Sequence, residues 1–266
     1  MSKIKVAING AGRIGRAFYR IARDRDDVEV VALNDLGDID NIAYLLKYDS
    51  AYQQKFQSVK SSDDKKSIML DGQSVAYLSE KDATKLPWGA MGVDVVVEAT
   101  GHYTSFEKAR AHLTAGAKKV VITAPAKDDA VAADEATVLM GINEDKLQSC
   151  NVTSNASCTT NAGSPLIQIL NETIGIEKAI LNTVHGYTAS QSVVDGPNAK
   201  DWKEGRAAAQ NIVPTTTGAA KATTKVITDL AGKFDGISIR VPVIAGSIVD
   251  ITFIAKRLLL HSGVSL

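Results

Sequence analysis

The feature that most constrains this chain is a glycine-rich turn between an apolar run and a helical pattern near the N-terminus. Residues Ile4–Asn9 predict a buried strand, and Gly10-Ala11-Gly12-Arg13-Ile14-Gly15 follows it without a gap. After the helical pattern, a second apolar run at Val28–Asn34 ends at Asp35. Glycines in this context let the backbone approach a pyrophosphate at a helix N-terminus, and an acid about 20 residues later accepts from ribose hydroxyls. We therefore predict a dinucleotide site that includes Gly10, Gly12, Gly15 and Asp35.

The charge of Asp35 also selects between the common dinucleotides. A carboxylate at this position repels a 2′-phosphate, so the pattern favours NAD over NADP. Further along, β-branched runs at residues 93–99 and 119–123 repeat the strand and helix alternation and predict a parallel sheet. Thr100 and Thr123 stand at the carboxyl ends of these strands, where doubly wound sheets bind ligands.

The remaining pattern divides the chain into two domains. An apolar run at Val138–Asn143 predicts one more strand of the first sheet, and the polar segment 58–66 predicts a loop or a hairpin connection. Alternating runs in the second half predict further strands, the last two antiparallel, at Lys178–His185, Gly236–Pro242 and Ile248–Ile254. We predict an α/β chain with a Rossmann-type NAD-binding domain at residues 1–157. An α+β catalytic domain with a mixed or antiparallel sheet is expected at residues 158–266.

Cys158 is the candidate nucleophile, in a small polar run at Asn155–Asn161 that opens a helical pattern. Unpaired backbone amides and the positive end of the helix dipole favour thiolate over thiol there and supply donors to an oxyanion. The alternative is a cysteine that packs as a small hydrophobe, but the hydroxyls of Ser157 and Thr159 argue against an apolar pocket. We interpret Cys150 as structural.

His185, at the exit of a predicted strand, is the candidate base. A dinucleotide site together with an activated thiol suits the oxidation of an aldehyde. The thiolate adds to the carbonyl, hydride leaves for nicotinamide, and a second nucleophile cleaves the thioester. An imidazole beside Cys158 would stabilise the thiolate and take the hydroxyl proton. A strand-end histidine with no chemical role remains the alternative on the sequence alone.

A phosphate cradle is indicated where Thr215–Lys221 starts a helix with hydroxyls and free amides, around Thr217 and Gly218. Arg240 lies on the polar face of a predicted strand. Ordinary roles stay open for both residues, a helix cap for Thr217 and a solvated strand face for Arg240. The segment from Gly186 to Ile212 is polar with little periodicity, which is typical of functional or interfacial loops.

Composition excludes several classes of partner. The chain has 30 Lys and Arg against 30 Asp and Glu, which argues against nucleic acid or a membrane surface as the main partner. No stretch is apolar enough to span a bilayer and the N-terminus lacks a signal-peptide layout, so we expect a cytoplasmic protein. The four histidines are scattered and no Cys/His cluster has metal-ligand spacing, so we expect no metal site.

With these motifs in place, the chain from Ile4 to about Lys256 resembles the phosphorylating glyceraldehyde-3-phosphate dehydrogenases of glycolysis. Ile8–Arg16 is similar to the N-terminal fingerprint of that family, with Ala11 where phenylalanine is usual. Ala156–Asn161 matches its active-site signature throughout. The resemblance implies oxidation of glyceraldehyde 3-phosphate with NAD and inorganic phosphate, in a homotetramer.

The resemblance also implies a role for each site residue. Cys158 would be the nucleophile and His185 its activator. Inorganic phosphate would lie among Ser157, Thr159, Thr217 and Gly218. Thr188 and Arg240 would hold the C3 phosphate of the substrate. The cofactor would contact Arg13, Ile14, Asp35, Lys81 and Thr123.

Two later stretches qualify the resemblance. The segment after His185 resembles the loop at the family's tetramer interface, with Asp195-Gly196-Pro197 as in NAD-using glycolytic members and Lys203 where arginine is common. Beyond Arg257, residues 258–266 do not resemble the family, and we expect a catalytic domain that is C-terminally incomplete through a frameshift or premature stop, with a real short variant as the alternative. Two other functions therefore stay open. One is an erythrose-4-phosphate dehydrogenase and the other is a truncated, inactive NAD-binding protein.

Overall fold

The computed structural model describes residues 2–199 and 201–257 of the chain. The described residues form two units, residues 2–138 with 145–156 and residues 139–144 with 157–199 and 201–257. The predicted domain division between residues 157 and 158 stays a prediction, and the interpretation of residues 258–266 concerns a stretch outside the described residues. Within the described ranges, no helix has the length and apolar character needed to cross a membrane.

The first unit is built on a nine-stranded sheet. Its strands are β1 (Ile4–Asn9), β2 (Val28–Asn34), β3 (Val59–Ser61), β4 (Ser67–Leu70), β5 (Gln73–Leu78), β6 (Val95–Glu98), β7 (Lys119–Ile122), β8 (Glu135–Thr137) and β9 (Val152–Ser154). They lie in the order β3-β4-β5-β2-β1-β6-β7-β9-β8. The pairs from β5 to β8 are parallel, whereas β3–β4 and β4–β5 are antiparallel. The predicted Rossmann-type parallel sheet is thus confirmed, and the polar segment 58–66 belongs to an edge hairpin.

Helices cover this sheet through two apolar cores. They are α1 (Arg13–Ala22), α2 (Ile39–Lys47), α3 (Trp88–Met91), α4 (Phe106–Ala109) and α5 (Ala111–Thr114). Val6 and Ile8 of β1 belong to one core and Ala7 to the other, because successive residues of a strand point to opposite faces. Full burial of a side chain such as Phe106 stabilises the unit by about 1.5–3 kcal/mol relative to exposing it to water.

Two positions of the turn between β1 and α1 require glycine for steric reasons. Gly10 has a φ of +102°, in the region that favours glycine. A Cβ on Gly15 would lie 1.9 Å from the carbonyl oxygen of Gly10, so no larger residue fits that position. Gly12 differs, because a Cβ there meets nothing within 4 Å. The packing of the fold therefore leaves room for a side chain at position 12.

The second unit contains a four-stranded mixed sheet. Its elements are α6 (Cys158–Thr173), β10 (Ile176–Gly186), β11 (Val213–Thr216), α7 (Ala219–Val226), β12 (Phe234–Val241) and β13 (Ser247–Ala255). The strand order is β11-β12-β10-β13, with β10 and β12 parallel and the other pairs antiparallel. The two strands that we predicted to be antiparallel therefore flank β10, and only β13 runs antiparallel to it. Short 3₁₀ helices elsewhere in the chain lie at Ala83–Lys85, Glu144–Gln148, Trp202–Gly205 and Thr228–Leu230.

The predicted strand at Val138–Asn143 is wrong. The strand lies earlier, at β8, and the chain then turns, because the Leu139 carbonyl accepts from the amides of Ile142 and Asn143. The Asn143 side chain closes the turn by accepting from the Leu139 amide at 2.8 Å. Val138 and Leu139 are buried, so the apolar run correctly marks burial. A side chain that satisfies the backbone locally has replaced the ladder hydrogen bonds that a strand requires.

Candidate active site and cofactor pocket

The candidate nucleophile is the first residue of α6. Ser157 caps this helix, and its Oγ accepts from the Thr160 amide at 3.0 Å. Cys158 follows directly, as a free cysteine with an exposed side chain, whereas Cys150 is free and buried. The helix dipole places partial positive charge at this end, which favours an anionic sulfur or oxyanion. The interpretation of Cys158 as a small apolar core residue is inconsistent with its exposure.

His185 lies beside this cysteine, at the end of β10. Its Nε2 is 3.4 Å from the Sγ of Cys158. Its Nδ1 is 2.6 Å from the carbonyl oxygen of Gly186 and 2.7 Å from Nη1 of Arg240. The structure therefore brings three of the predicted site residues together in one row, from the sulfur through the imidazole to the guanidinium.

Strand register explains why this row forms. His185 and Arg240 are direct partners in the parallel pair β10–β12. Both follow the parity of buried residues on their strands, Thr183 on β10 and Ser238 on β12, so their side chains share the face of the sheet that α6 and α7 cover. Arg240 is consequently half-buried against His185, and the alternative of a solvated strand face does not hold.

The residues predicted to bind inorganic phosphate lie at the starts of two helices, α6 and α7. Thr159 is buried with its Oγ1 4.0 Å from the sulfur of Cys158. Thr217 Oγ1 accepts from the amide of Ala219 at 3.2 Å, so this residue does serve as a helix cap. Gly218 is the N-cap residue of α7 and offers no side-chain cap, and a Cβ there would meet nothing within 4 Å. Space is therefore open beside Gly218 at the start of α7, while the amide of Ala219 is already paired.

Thr188 lies in the turn after β10, with Gln191. The Thr188 hydroxyl is 3.1 Å from that of Ser190, and its amide donates to Oε1 of Gln191 at 3.3 Å. Nε2 of Gln191 and Nε of Arg240 are both buried without a hydrogen-bond partner among the described residues. Buried unpaired donors are costly unless a ligand or water accepts from them, and an anion is the strongest acceptor for such groups. Sequence reasoning missed Gln191, which stands in a loop without periodicity.

A pocket of the first unit opens at the carboxyl ends of β1, β2 and β6. Its lining comprises Asn9, Gly10, Gly12, Asn34, Asp35, Leu36, Glu80, Lys81, Ala99, Thr100, His102, Tyr103 and Lys108. Five of the residues predicted to bind the cofactor are in that lining, namely Gly10, Gly12, Asp35, Lys81 and Thr100. We did not predict Asn9 and Asn34 as pocket residues from the sequence. Both are polar residues at the ends of apolar strands, and that pattern could have identified them.

Asp35 is fixed against the glycine turn. Its Oδ2 accepts from the amide of Ala11 at 2.6 Å and its Oδ1 from that of Gly37 at 2.8 Å. Tyr77 holds the same loop, donating its hydroxyl to the Gly37 carbonyl at 2.8 Å. Burial, reinforced by Asp35 and Asp38, raises the pKa of Tyr77 to about 12, so the hydroxyl keeps its proton. The carboxylate is thereby held in place at the edge of the pocket.

The other predicted cofactor residues lie around this pocket rather than in its lining. Arg13 pairs with Asp49 at 3.2 Å, and Ile14 is an exposed residue of α1. Gly15 packs against the Gly10 carbonyl inside the turn. Thr123 follows β7 and donates its hydroxyl to the Glu98 carbonyl at 3.0 Å. The assignment of these residues to a cofactor stays a prediction.

Beneath the pocket lies a buried polar cluster of Asn9, Trp88, Glu98, Thr100 and His112. Glu98 accepts from Asn9 Nδ2 at 2.6 Å, from His112 Nε2 at 3.0 Å, and from the amide and hydroxyl of Thr100. Burial by itself raises the pKa of Glu98, but the hydrogen bonds from His112, Thr100 and Asn9 outweigh it and hold that pKa below its ordinary value. The carboxylate is therefore ionised.

Trp88 fixes the protonation of His112 within this cluster. The indole Nε1 can only donate, and it lies 3.1 Å from Nδ1 of His112. Nδ1 is therefore the acceptor, and the imidazole is neutral with its proton on Nε2, facing Glu98. Asn9 and Thr100 line the pocket and are held by their hydrogen bonds to the Glu98 carboxylate. That carboxylate is itself held by His112. We did not predict a role for His112 from the sequence.

Comparison with known proteins gives matches along most of the chain. Residues 4–106 match the family model of the glyceraldehyde 3-phosphate dehydrogenase NAD binding domain, and residues 157–264 match that of the C-terminal domain. The second match continues past Arg257, where we expected the resemblance to end. A glyceraldehyde-3-phosphate dehydrogenase of Haemophilus influenzae is 48% identical over 94% of this chain and 71% of its own length. Enzymes of that name from Streptomyces coelicolor and, as form 1, from Kluyveromyces lactis are each 47% identical over 96% and 94% of this chain, and 74% of their own lengths.

Proposed function

The chain belongs to the glyceraldehyde-3-phosphate dehydrogenase family, and from that membership we propose that it oxidises glyceraldehyde 3-phosphate with NAD and inorganic phosphate to 1,3-bisphosphoglycerate. The observation that carries the proposal is the 3.4 Å contact between Cys158 Sγ and His185 Nε2 at a helix N-terminus. A sulfur nucleophile, a base within hydrogen-bond reach and a positive helix end are the parts that thioester chemistry requires.

The pocket of the first unit fits NAD. Gly12 leaves open space over the first turn of α1 and supplies no side-chain cap, so the helix amides are available to a diphosphate. Asp35 presents acceptors to ribose hydroxyls and repels a 2′-phosphate. When bound, NAD supplies the hydride acceptor for the oxidation.

The chain's own residues carry the covalent steps. The Cys158 thiolate adds to the aldehyde carbon, and amides at the start of α6 stabilise the resulting oxyanion. The Gly186 carbonyl lies 2.6 Å from Nδ1 of His185, and the tautomer that donates its Nδ1 proton to this carbonyl keeps a lone pair on Nε2. That lone pair takes the proton of the hemithioacetal hydroxyl as the carbon loses hydride, which leaves a thioester on the cysteine.

Inorganic phosphate then cleaves the thioester and regenerates the thiolate. We assign the attacking phosphate to Ser157, Thr159, Thr217 and Gly218, and the C3 phosphate to Thr188 and Arg240. The open space beside Gly218, at the start of α7, supports the first assignment. The buried, unpaired Nε of Arg240 supports the second, since a phosphate oxygen would satisfy it. We also assign the protein to the cytoplasm, a reducing compartment compatible with its two free cysteines.

The test is NADH formation by the purified 266-residue chain from glyceraldehyde 3-phosphate, NAD and inorganic phosphate. Cys158→Ser is expected to lower kcat by at least about 10³-fold, because a hydroxyl is a far weaker nucleophile at neutral pH. Cys150→Ala, at a buried cysteine outside the site, is the matched control and should stay within a few-fold of the unchanged chain.

Equal activity of the Cys158→Ser and unchanged chains would reject the mechanism. A higher kcat/KM with erythrose 4-phosphate than with glyceraldehyde 3-phosphate would reject the proposed substrate. Binding of NAD without any turnover by a folded chain would identify an inactive NAD-binding protein.

A further inference from the structure

A second cavity lies in the first unit, at the amino ends of β2 and β5. Its volume is about 420 Å³, which falls in the range of about 300–1,000 Å³ that small-molecule sites occupy. None of the residues that line it also lines the pocket assigned to NAD, which opens at the carboxyl ends of β1, β2 and β6. The two cavities therefore lie at opposite ends of β2.

Partial pairing of β2 with β5 leaves room for this cavity. Their parallel register runs only from Ala32 with Ala76 to Asn34 with Leu78. The preceding part of β2 has no partner on β5 among the described residues. Three valines of these strands line the cavity, namely Val28, Val30 and Val75. Residues at the C-terminal end of α1 complete a lining that is apolar on the side of the strands.

Tyr19 of α1 contributes an unpaired donor to this lining. Its side chain is buried, with only 3% of the residue exposed, and its ring packs on that of Phe56 with the centroids 5.8 Å apart. Burial raises the pKa of Tyr19 to about 12, so the hydroxyl keeps its proton at neutral pH. Within the described ranges this hydroxyl has no hydrogen-bond partner. Buried tyrosine hydroxyls usually have one, so the cavity calls for an acceptor supplied by a ligand.

Three charged side chains of the lining also lack an ion-pair partner among the described residues. Lys3 and Arg23 are cationic and Glu29 is anionic, and the Arg23 guanidinium donates to a neutral side-chain amide. Arg25 differs, because two hydrogen bonds of 2.8 and 2.7 Å already join it to Asp27. Unpaired charges of both signs around one cavity are complementary to a ligand that carries both signs.

We propose that this cavity binds a free α-amino acid with an apolar side chain. The carboxylate of the ligand accepts from the Tyr19 hydroxyl and from the Arg23 guanidinium, whose fork matches the geometry of a carboxylate. The ammonium group pairs with Glu29, and the apolar side chain lies against the three valines. The site is separate from the proposed dehydrogenase chemistry and does not depend on it.

The charges of the lining favour this class over simpler anions. A phosphate carries up to two negative charges, and Glu29 would repel it. A carboxylate without an ammonium group would satisfy Tyr19 and Arg23 but would leave Glu29 without a partner. An amine without a carboxylate would leave the Tyr19 donor unpaired. Only a ligand with both groups and an apolar body uses every part of the lining.

Calorimetric titration of the 266-residue chain with L-phenylalanine tests the proposal. Saturable binding with a Kd of about 1 mM or below is expected. The compound 3-phenylpropionate, which lacks the ammonium group, and phenethylamine, which lacks the carboxylate, should each bind at least about fivefold more weakly, since each loses one charge-assisted contact. These comparisons use the unchanged chain and do not depend on how a variant folds.

Two variants locate the binding. Tyr19→Phe removes one donor to a charged group and should weaken L-phenylalanine binding by about tenfold or more. Glu29→Gln should weaken binding of L-phenylalanine but leave that of 3-phenylpropionate unchanged or improved, because this compound has no group for Glu29 to pair with. Tyr44→Phe is the matched control, since Tyr44 is an exposed tyrosine of α2 outside the cavity, and its affinity should equal that of the unchanged chain.

Absence of saturable binding up to about 10 mM L-phenylalanine would overturn the proposal. Equal affinity of the unchanged chain for L-phenylalanine and 3-phenylpropionate would reject an amino acid as the ligand class. Equal affinity of the Tyr19→Phe and unchanged chains for L-phenylalanine would show that the amino acid binds elsewhere.

Discussion

Glu98 supports the pocket of the first unit although it is not one of the residues that line it. It is 2% exposed, yet its carboxylate accepts from two side chains and from both donors of Thr100. Four donors replace the water that an ionised carboxylate loses on burial. Thr100 and Asn9 donate hydrogen bonds to Glu98. These bonds hold both residues in a fixed arrangement at the floor of the pocket.

We predict that Glu98→Gln destabilises the first unit by about 1–3 kcal/mol at neutral pH, because the new amide group opposes donors that have no other partner. The pKa of Glu98 is below its ordinary value of 4.5, so its stabilising charge is fully present above that pH and is lost as the pH falls through the folded-state pKa. The difference in unfolding free energy between the two chains should therefore be largest near pH 7 and shrink below about pH 4.5. Urea unfolding across pH 3–7 measures it.

Glu107→Gln is the control for this prediction. Glu107 is an exposed residue of α4, and its replacement should change stability by less than about 0.5 kcal/mol. A difference for Glu98→Gln that stays constant from pH 7 to pH 3 would contradict the assignment of an ionised Glu98.

Residues with a local signature could be predicted from the sequence, whereas Glu98 and Asn9, which a long-range contact brings together, could not. Cys158 is marked by its polar flanks and the helix pattern that follows, and the glycine turn by the strand before it. The partnership of Glu98 with Asn9 links positions 89 residues apart and depends on β1 and β6 being sheet neighbours. Nothing in the single sequence gives that order, so the buried cluster became visible only in the fold.

At the scale of elements, the turn between β1 and α1 contains one glycine that the fold requires and another that we assign to cofactor binding. Gly15 is required by the backbone, since any Cβ would meet the Gly10 carbonyl, whereas Gly12 faces open space. We predict that Gly15→Ala lowers the unfolding free energy by about 1–3 kcal/mol or more through overpacking. Gly12→Ala should change stability by less than about 1 kcal/mol and yet weaken NAD binding, because its methyl group occupies space that the diphosphate needs.

Denaturant unfolding and calorimetric titration with NAD measure the two effects on the same pair of variants. Equal NAD affinity in Gly12→Ala and the unchanged chain would contradict the placement of the diphosphate at this turn. A stable Gly15→Ala chain would contradict the close approach of Gly15 to Gly10.

Short elements were the least predictable from the sequence. β8 and β9 have three residues each, which is too few for an alternating pattern to emerge. At Val138–Asn143, burial continues after the strand has ended, and the Asn143 side chain decides the backbone conformation. The longer β10, β12 and β13 were predicted at nearly their observed bounds, but their mixed pairing depends on contacts beyond each strand.

At the scale of the whole molecule, the segment between β10 and β11 is the candidate for assembly. Val193, Val194, Trp202 and Ile212 expose between 71% and 88% of their surfaces in the single chain. We propose a homotetramer and predict that light scattering gives four times the 28.2 kDa chain mass. Val194→Asp should reduce that mass without lowering secondary structure, because a charge at the centre of an apolar contact must lose its water.

Val131→Asp is the matched control, as Val131 is 92% exposed and lies in the first unit, outside this segment. It should keep the mass of the unchanged chain. A Val194→Asp chain of unchanged mass would exclude Val194 from any assembly contact.

The direct pairing of His185 with Arg240 has a consequence for how this chain can change in length. Side chains alternate along a strand, so one inserted residue within 178–184 or 234–239 would send one member of the pair to the opposite face. No substitution elsewhere could restore the alignment. Insertions in the connection between β10 and β11 leave that pairing untouched. Descendants of this sequence are therefore expected to vary in length in that stretch and to keep a constant residue count along the two paired strands.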